Sequence, residues 1–180
     1  YHFFCNLKIS FMITSYLCYY NWFMISHTKN RICIIPIRSG SKTIKDKNIK
    51  LIKKRPLIFY SLNEAIKSKI FREIIISTDS KKYIDVISKL NINKKIIKFH
   101  QRSKLNSSSK SSTEDVLIEV LNYYSNEVKE NEIINLVQAT SPQIKSQDLI
   151  MANILFSKKR LDSLFSASRN DKFIWKNGKN

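Results

Sequence analysis

Short apolar runs rich in β-branched residues alternate along this chain with longer stretches in which apolar residues recur every three or four positions. The short runs predict buried strands, and the longer stretches predict amphipathic helices. The predicted strands cover residues 31–37, 73–77, 95–99, 132–137 and 163–168. This alternation predicts an α/β fold, with a mostly parallel sheet and helices on both faces.

Each predicted helix begins near a residue suited to that position. Pro56 fits the first turn of the first helix, and Asp79 or Ser80 can cap the second. Ser112, followed by an acid three residues later, predicts a capping box for the third helix, and Ser146 can cap the fourth.

Polar segments follow four of the predicted strands, at residues 38–48, 77–79, 102–112 and 138–142. Right-handed crossovers bring the carboxyl ends of parallel strands to one edge of the sheet, which is where such sheets bind ligands. The sequence therefore predicts a site at this edge, although composition alone also allows segment 102–112 to be a disordered linker.

The loop after the first strand has the chemistry of a phosphate site. Arg38, Lys42 and Lys47 supply cations, and the backbone around Gly40 and Ser41 supplies amide donors. Neither the Walker A pattern nor the dinucleotide fingerprint is present. The chain has two glycines where average usage predicts about a dozen. The glycine kept in this loop is therefore expected to have a positive φ or to allow close approach of a ligand.

The composition indicates a single domain with a strong positive charge. The 180 residues include 32 Lys and Arg against 14 Asp and Glu, a net charge of +18. A basic nucleic-acid-binding module is one interpretation. The lysines are scattered along the chain, and no aromatic RNA-stacking signature accompanies them. The preferred interpretation is therefore that the positive charge reflects compositional drift. The three cysteines form no C-x-x-C pair, which argues against disulfides and zinc and suits a reducing compartment such as the cytoplasm.

The first 30 residues form an apolar extension to a domain that covers residues 31–180. Residues 9–27 contain no Lys, Arg, Asp or Glu, so their length would suit a membrane span. The stretch is polar for a bilayer core, however. The preferred interpretation is that translation starts at Met24 and that residues 1–23 are upstream sequence. A membrane anchor is the alternative.

No nucleophile–base pair and no cluster with metal-ligand spacing is apparent in the sequence. His100 falls at a strand end and is interpreted as a surface residue. A site with cations but no nucleophile suits phosphoryl or nucleotidyl transfer. Catalysis of these reactions depends mainly on positioning the reactants and neutralising their charge.

Residues 35–42 together with Lys47-Asn48 resemble the I-P-A-R-G-G-S-K…K-N signature of the acylneuraminate (CMP-sialic acid synthetase) cytidylyltransferases. The resemblance continues in order through residues 55–58, 75–79, 102 with 111–112, and 138–142, and so covers the chain from about residue 31. It implies a Rossmann-like nucleotide-diphospho-sugar transferase fold.

The resemblance also implies a reaction. The family transfers a cytidylyl group from CTP to a nine-carbon, sialic-acid-like sugar in the presence of Mg²⁺, releasing pyrophosphate, and full-length members are cytoplasmic homodimers. The nearest alternative is a 3-deoxy-manno-octulosonate cytidylyltransferase. Those enzymes usually have K-P at the position of Lys47-Asn48 and Q-G-D-E-P at the position of residues 138–142. Both differences count against that alternative.

The family motifs imply a role for each candidate site residue. The triphosphate would be held by Arg38, Ser41 and Lys42 with the backbone at Gly40, the α-phosphate by Lys47, the ribose by Asn48 and Ser112, the cytosine by Arg102 and the backbone near Lys110, and the sugar by Gln138.

The chain also departs from the family pattern. Ser39, Thr43 and Lys54 replace glycines, Lys45 replaces a proline, Ser108 an aspartate and Ile144 an arginine. These changes leave the triphosphate contacts intact but are expected to affect sugar recognition and loop rigidity. The family's metal-binding aspartates have no counterpart here, so the metal ligands are unassigned. Together with an Asn-Gly hairpin signal at residues 177–178, this suggests an enzyme truncated at its C-terminus and of low or no activity.

Overall fold

The computed structural model describes residues 30–41, 43–108, 111–129 and 131–167. The elements in these ranges are β1 (Arg31–Ile37), a 3₁₀ turn (Lys47–Ile49), β2 (Leu51–Ile52), β3 (Arg55–Pro56), α1 (Leu57–Ser68), β4 (Glu73–Thr78), α2 (Lys81–Ser88), β5 (Ile97–Gln101), α3 (Thr113–Tyr123), β6 (Ile133–Leu136) and α4 (Ser146–Lys159).

Four of the strands form one parallel sheet in the order β5-β4-β1-β6. Ile34 of β1 lies opposite Ile75 of β4 on one side and Leu136 of β6 on the other. After β1, the chain forms β4 and β5 on one side of that strand and then β6 on its other side. The strand order therefore reverses between β1 and β6, and crevices for ligands open at such reversals.

The core lies on both faces of this sheet because successive strand residues point to opposite sides. Cys33 and Ile35 of β1 belong to a buried cluster with residues of α1, α2 and α4. Ile32 and Ile34, which alternate with them, pack in a second cluster against Val116 of α3. The prediction of an α/β fold with helices on both faces is confirmed.

The two shortest strands were not predicted. No strand was predicted between residues 38 and 72, but Leu51–Ile52 pairs antiparallel with Arg55–Pro56. The turn between them is formed by Lys53 and Lys54, with φ angles of 47° and 65°. Two-residue strands carry no periodicity, and this turn lacks the glycine or asparagine that normally marks left-handed positions.

Two other expectations differ from the structure. Residues 163–167 are not a strand, since an extended segment needs a pairing partner, and Ser168 lies outside the described residues. Ser146 does not cap α4 but is its first residue, and its N–H donates to Glu64 Oε2 at 3.0 Å. A carboxylate from α1 thus satisfies this helix end in place of a serine cap.

The capping box of α3 is confirmed. Asp115 N–H donates to Ser112 Oγ at 3.1 Å, and Ser112 N–H donates to Asp115 Oδ2 at 2.9 Å. At α2 the cap residue is Ser80, but its side chain makes no capping hydrogen bond.

Among the described residues, no helix is both long enough and apolar enough to cross a bilayer. The predicted N-terminal extension lies outside the described residues, except for residue 30. The predicted hairpin at residues 177–178 also lies outside them.

Candidate functional site

A cavity of about 520 Å³ opens at the carboxyl ends of β1, β5 and β6. Its volume is within the range of small-molecule sites. Seven of the ten candidate site residues line it: Arg38, Ser41, Lys47, Asn48, Arg102, Ser112 and Gln138. The predicted sheet edge therefore does gather these side chains, while their individual roles stay predictions.

The other three candidates are not part of this cavity lining. Lys42 and Lys110 lie outside the described residues. Gly40 is exposed, and its φ lies outside the left-handed region. Of the two reasons expected for a glycine here, the positive φ is therefore wrong, and close approach of a ligand stays a prediction. A Cβ at this position would meet no atom within 4 Å. The left-handed turn of the loop is instead made by Asp46, with φ 54°.

The start of the loop is anchored to the neighbouring strand by Ser39. Its N–H donates to Asp79 Oδ1 at 2.9 Å, and its Oγ donates to Asp79 Oδ2 at 2.7 Å. Asp79 directly follows β4, which lies beside β1 in the sheet. The Ser39 side chain thus adds one of the two hydrogen bonds by which Asp79 holds the start of this loop.

The Ser39→Ala variant is expected to lose about 1–2 kcal/mol of unfolding free energy, because it removes a hydrogen bond to a carboxylate but keeps the backbone one. Urea unfolding measures the change. The matched control is Ser80→Ala, which also removes a hydroxyl near Asp79 but no capping hydrogen bond. Equal losses in the two variants would contradict the anchoring role.

Lys47 and Asn48 are presented by the 3₁₀ turn, which is tied to α2 through Asp46. Asp46 accepts hydrogen bonds from Lys82 Nζ at 2.7 Å and Tyr83 Oη at 3.2 Å. The hydrogen bond from Lys82 is the main cause of the lowered pKa of Asp46. The turn that presents Lys47 is therefore fixed to the body of the protein.

Asn48 connects this turn to the first strand end. Its side chain is buried, and Nδ2 donates to the carbonyl oxygen of Arg38 at 3.1 Å. The guanidinium of Arg38 in turn donates to the carbonyl oxygen of Ser108 at 3.0 Å. One chain of contacts thus runs from the loop after β1 to the serine-rich segment.

Arg102 is the most buried cation of the site, with 6% of its surface exposed. Its Nη2 donates to the carbonyl oxygen of Ser77 at 3.0 Å, and its Nε donates to Ser77 Oγ at 3.4 Å. Burial lowers the pKa of Arg102, and the nearby charge of Arg38 adds to this effect. The guanidinium nevertheless stays charged at neutral pH, so the cavity wall is positive.

His100 is not a surface residue, as the sequence suggested, because only 2% of it is exposed. Its Nδ1 lies 3.0 Å from Ser77 Oγ, and its Nε2 lies 3.7 Å from Glu119 Oε1. The ring packs edge to face on Tyr123 of α3, with 5.0 Å between ring centroids. Strand β5 runs to Gln101, two residues beyond the predicted end, and α3 covers it there.

This burial predicts an acid sensitivity. Burial, and secondarily Arg102, lowers the pKa of His100 against the opposing effect of Glu119. The unfolded chain therefore binds this proton more readily than the folded one, so the unfolding free energy should fall as the pH drops below about 6.5. Urea unfolding across this range should show a smaller slope for His100→Gln than for the parent chain, and equal slopes would contradict the assignment.

The described residues do not form a protein cage for Mg²⁺. No three His, Cys, Asp or Glu side chains come together in the parts of the chain that the structure describes. Asp79, beside the loop after β1, uses both carboxylate oxygens on Ser39. In nucleotide sites, however, Mg²⁺ takes most of its ligands from phosphates and water, with only one or two carboxylates.

The sequence reasoning missed Asn106, which lines the cavity, and Glu119, which hydrogen-bonds to it. Asn106 sits in a serine-rich segment without periodicity, and Glu119 is one of several acids on a helix. No local signal in the sequence distinguishes either residue.

The sequence profile of the cytidylyltransferase family matches residues 32–167, which include every strand of the parallel sheet except the first residue of β1. This chain belongs to the cytidylyltransferase family. The sequence-based assignment is thereby confirmed at the level of the family.

Two curated cytidylyltransferases illustrate the sequence similarity. An N-acylneuraminate cytidylyltransferase of Streptococcus agalactiae is 33% identical over 143 residues, which are 78% of this chain and 32% of that protein. A pseudaminic acid cytidylyltransferase of Campylobacter jejuni is 33% identical over 140 residues, which are 76% of this chain and 57% of that protein. The chain thus spans less than two thirds of either relative.

A solved structure supports the fold independently. A CMP:2-keto-3-deoxy-manno-octonic acid synthetase complexed with CTP superposes with a TM-score of 0.57. The alignment covers 72% of this chain and 48% of the synthetase, at 18% identity. At this identity the likeness concerns the fold alone, and it agrees with the predicted nucleotidyltransferase architecture.

Proposed function

We propose that this chain is the CTP-binding part of an enzyme that transfers a cytidylyl group to a sialic-acid-like sugar. The observation that carries the proposal is the cavity at the carboxyl edge of the sheet, where Arg38, Lys47 and Arg102 lie among hydroxyl and amide side chains. Three cations in one polar cavity suit a polyanionic substrate. Membership of the cytidylyltransferase family narrows that substrate to CTP.

In the proposed reaction, the anomeric hydroxyl oxygen of the sugar attacks the α-phosphorus of CTP. A new P–O bond forms, and the bond between the α-phosphorus and the bridging oxygen to the β-phosphate breaks. Pyrophosphate leaves with the bonding electron pair, and the hydroxyl proton is released. Such a reaction depends mainly on positioning and on neutralising charge, which the fixed cations of this site can provide.

The proposed roles follow the family motifs. Lys47, fixed through Asp46, is assigned to the α-phosphate, and Arg38 and Ser41 are assigned to the rest of the triphosphate. Lys42 and Gly40 belong to the same group by motif alone. Mg²⁺, when bound with the triphosphate, supplies further positive charge.

The nucleoside end of CTP is assigned to a second group of residues. Asn48 and Ser112 are proposed to bind the ribose, and Arg102, with the backbone near Lys110, the cytosine. Gln138, which follows β6, is proposed to face the sugar. The buried, hydrogen-bonded setting of Asn48 and Arg102 supports these assignments, because fixed donors select a substrate better than mobile ones.

The sugar is proposed to be a nine-carbon nonulosonic acid. Relatives named for N-acylneuraminate and for pseudaminic acid are similar to this chain to the same degree, 33%. They support the class of sugar rather than one member of it. A cytoplasmic location and homodimerisation of the full-length enzyme, with residues 31–180 as its catalytic part, belong to the same proposal.

Calorimetric titration of this chain with CTP, UTP, ATP and GTP in the presence of Mg²⁺ tests the nucleotide assignment. We expect saturable binding with a clear preference for CTP. Equal affinity for all four nucleotides, falling steeply with salt, would overturn the proposal in favour of a basic nucleic-acid-binding module.

A second assay tests the acceptor. Pyrophosphate release by the full-length enzyme with CTP and Mg²⁺ is compared for N-acetylneuraminate, pseudaminate, legionaminate and 3-deoxy-manno-octulosonate. We expect turnover with a nine-carbon acid. Turnover with 3-deoxy-manno-octulosonate alone would replace the proposed acceptor by the eight-carbon alternative.

A further inference from the structure

One carboxylate, that of Glu119 on α3, accepts several hydrogen bonds from the serine-rich segment 103–108. Ser103 N–H donates to Glu119 Oε1 at 2.7 Å, and Ser103 Oγ donates to Glu119 Oε2 at 2.9 Å. The side-chain amide of Asn106 donates to Oε2 as well. Glu119 therefore receives donors from two positions of the segment at once.

Asn106 also hydrogen-bonds to residues at the beginning of the segment and to residues that follow it. Its N–H donates to Ser103 Oγ at 3.2 Å, and Nδ2 also donates to the carbonyl oxygen of Asp115 at 3.4 Å. Its Oδ1 accepts a hydrogen bond from Ser111 Oγ at 3.3 Å. Asn106 thus connects the beginning of the segment with the residues that lead into α3.

The charge of Glu119 is stabilised in this position. Burial by itself would raise the pKa of the Glu119 carboxyl, but hydrogen bonds from Ser103 and Asn106 outweigh it and lower the pKa. The ionised carboxylate can accept from all three donors, whereas a neutral amide at this position could not accept at both of its polar atoms. The contact is therefore specific to a carboxylate.

The held segment forms part of the cavity wall. Asn106 and Ser108 line the cavity, and the carbonyl oxygen of Ser108 accepts the hydrogen bond from Arg38. Arg102, which immediately precedes the segment, lines it as well. A change in the position of residues 103–108 would therefore change the side of the cavity that is assigned to the base.

We propose that Glu119 is a positioning residue for nucleotide binding, which holds segment 103–108 through Ser103 and Asn106 in the shape that receives the cytosine. The inference rests on the proposed CTP site. It assigns to Glu119 no contact with CTP itself. Serine-rich sequences have little order of their own, and an external carboxylate with several donors can supply it.

The test compares CTP with inorganic tripolyphosphate, which has the phosphates but no base. In Glu119→Gln, calorimetric titration should give a dissociation constant for CTP raised about tenfold or more, and an unchanged constant for tripolyphosphate. The matched control is Glu114→Gln, an exposed acid of the same helix that does not line the cavity, and both constants should stay as in the parent chain. Asn106→Ala provides a second variant, expected to show the same split.

Each outcome has a distinct meaning. If the parent chain binds CTP selectively and both Glu119→Gln and Asn106→Ala bind it equally well, Glu119 has no positioning role, although the CTP site stands. If these variants lose affinity for CTP and tripolyphosphate alike, the effect is a general one on the fold and the inference is overturned. If the parent chain shows no preference for CTP, the proposed function fails and the inference fails with it.

Discussion

Replacing Lys47 by methionine is expected to slow cytidylyl transfer by about 10²–10³-fold, since it removes a positioned cation from the place where charge develops on the α-phosphate. Methionine keeps a similar length without the charge. Asp46 fixes the turn that carries Lys47 through its hydrogen bonds to Lys82 and Tyr83, so the turn itself should persist in the variant. The rate is measured in the full-length enzyme as pyrophosphate release at saturating CTP and sugar.

The matched control is Lys50→Met. Lys50 follows the same turn but is exposed and does not line the cavity, so its replacement should leave the rate within about twofold. A Lys47→Met variant that keeps the parent rate would contradict the assignment to the α-phosphate. Equal losses of rate in both variants would indicate that the net charge of the protein matters for the reaction, and not the position of Lys47.

Replacing Arg102 by lysine is expected to weaken CTP binding about tenfold or more and to lower the unfolding free energy by about 1.5–3 kcal/mol. The charge is kept, but an ammonium cannot reproduce the planar fork with which Arg102 contacts the carbonyl and hydroxyl oxygens of Ser77. Urea unfolding and calorimetric titration with CTP measure the two effects.

Arg55→Lys is the control for this substitution. Arg55 is exposed, with its guanidinium 4.9 Å from the centre of the Phe59 ring, and it does not line the cavity. The change there should stay within about 0.5 kcal/mol, with CTP binding unaltered. If Arg102→Lys behaves like this control, then charge alone matters at position 102 and the geometric role is wrong.

The sheet could be predicted because its signal is local. β1 and β4 are rich in isoleucine and are buried on both faces of the sheet. Such runs can be recognised in a sequence without knowledge of the strands that pair with them. The capping box at Ser112 and Asp115 is local as well, and it was predicted correctly. Strand ends were harder to predict, because β5 extends to Gln101 through its pairing with Thr78 of β4, another part of the chain.

The contacts that shape the site could not be predicted, because they join residues far apart in the sequence. Ser39 meets Asp79, and Glu119 meets Ser103, only after the sheet has brought their elements together. A serine and an acid in isolation carry no sign of such a pairing. The family motifs identified residues that line the cavity, whereas the residues that hold them in place became visible only in the structure.

The left-handed residues of this chain affect how many further mutations it can tolerate. Lys53 and Lys54 in the β2–β3 turn and Lys69 and Arg160 after α1 and α4 all have positive φ angles, at positions where glycine is usually preferred. At about 1 kcal/mol each, this backbone strain is a substantial part of the 5–15 kcal/mol by which domains are usually stable. A chain with lysine or arginine at such positions therefore keeps a smaller reserve of stability against further substitutions. Replacing such a residue by glycine should raise the free energy of unfolding by about 1 kcal/mol.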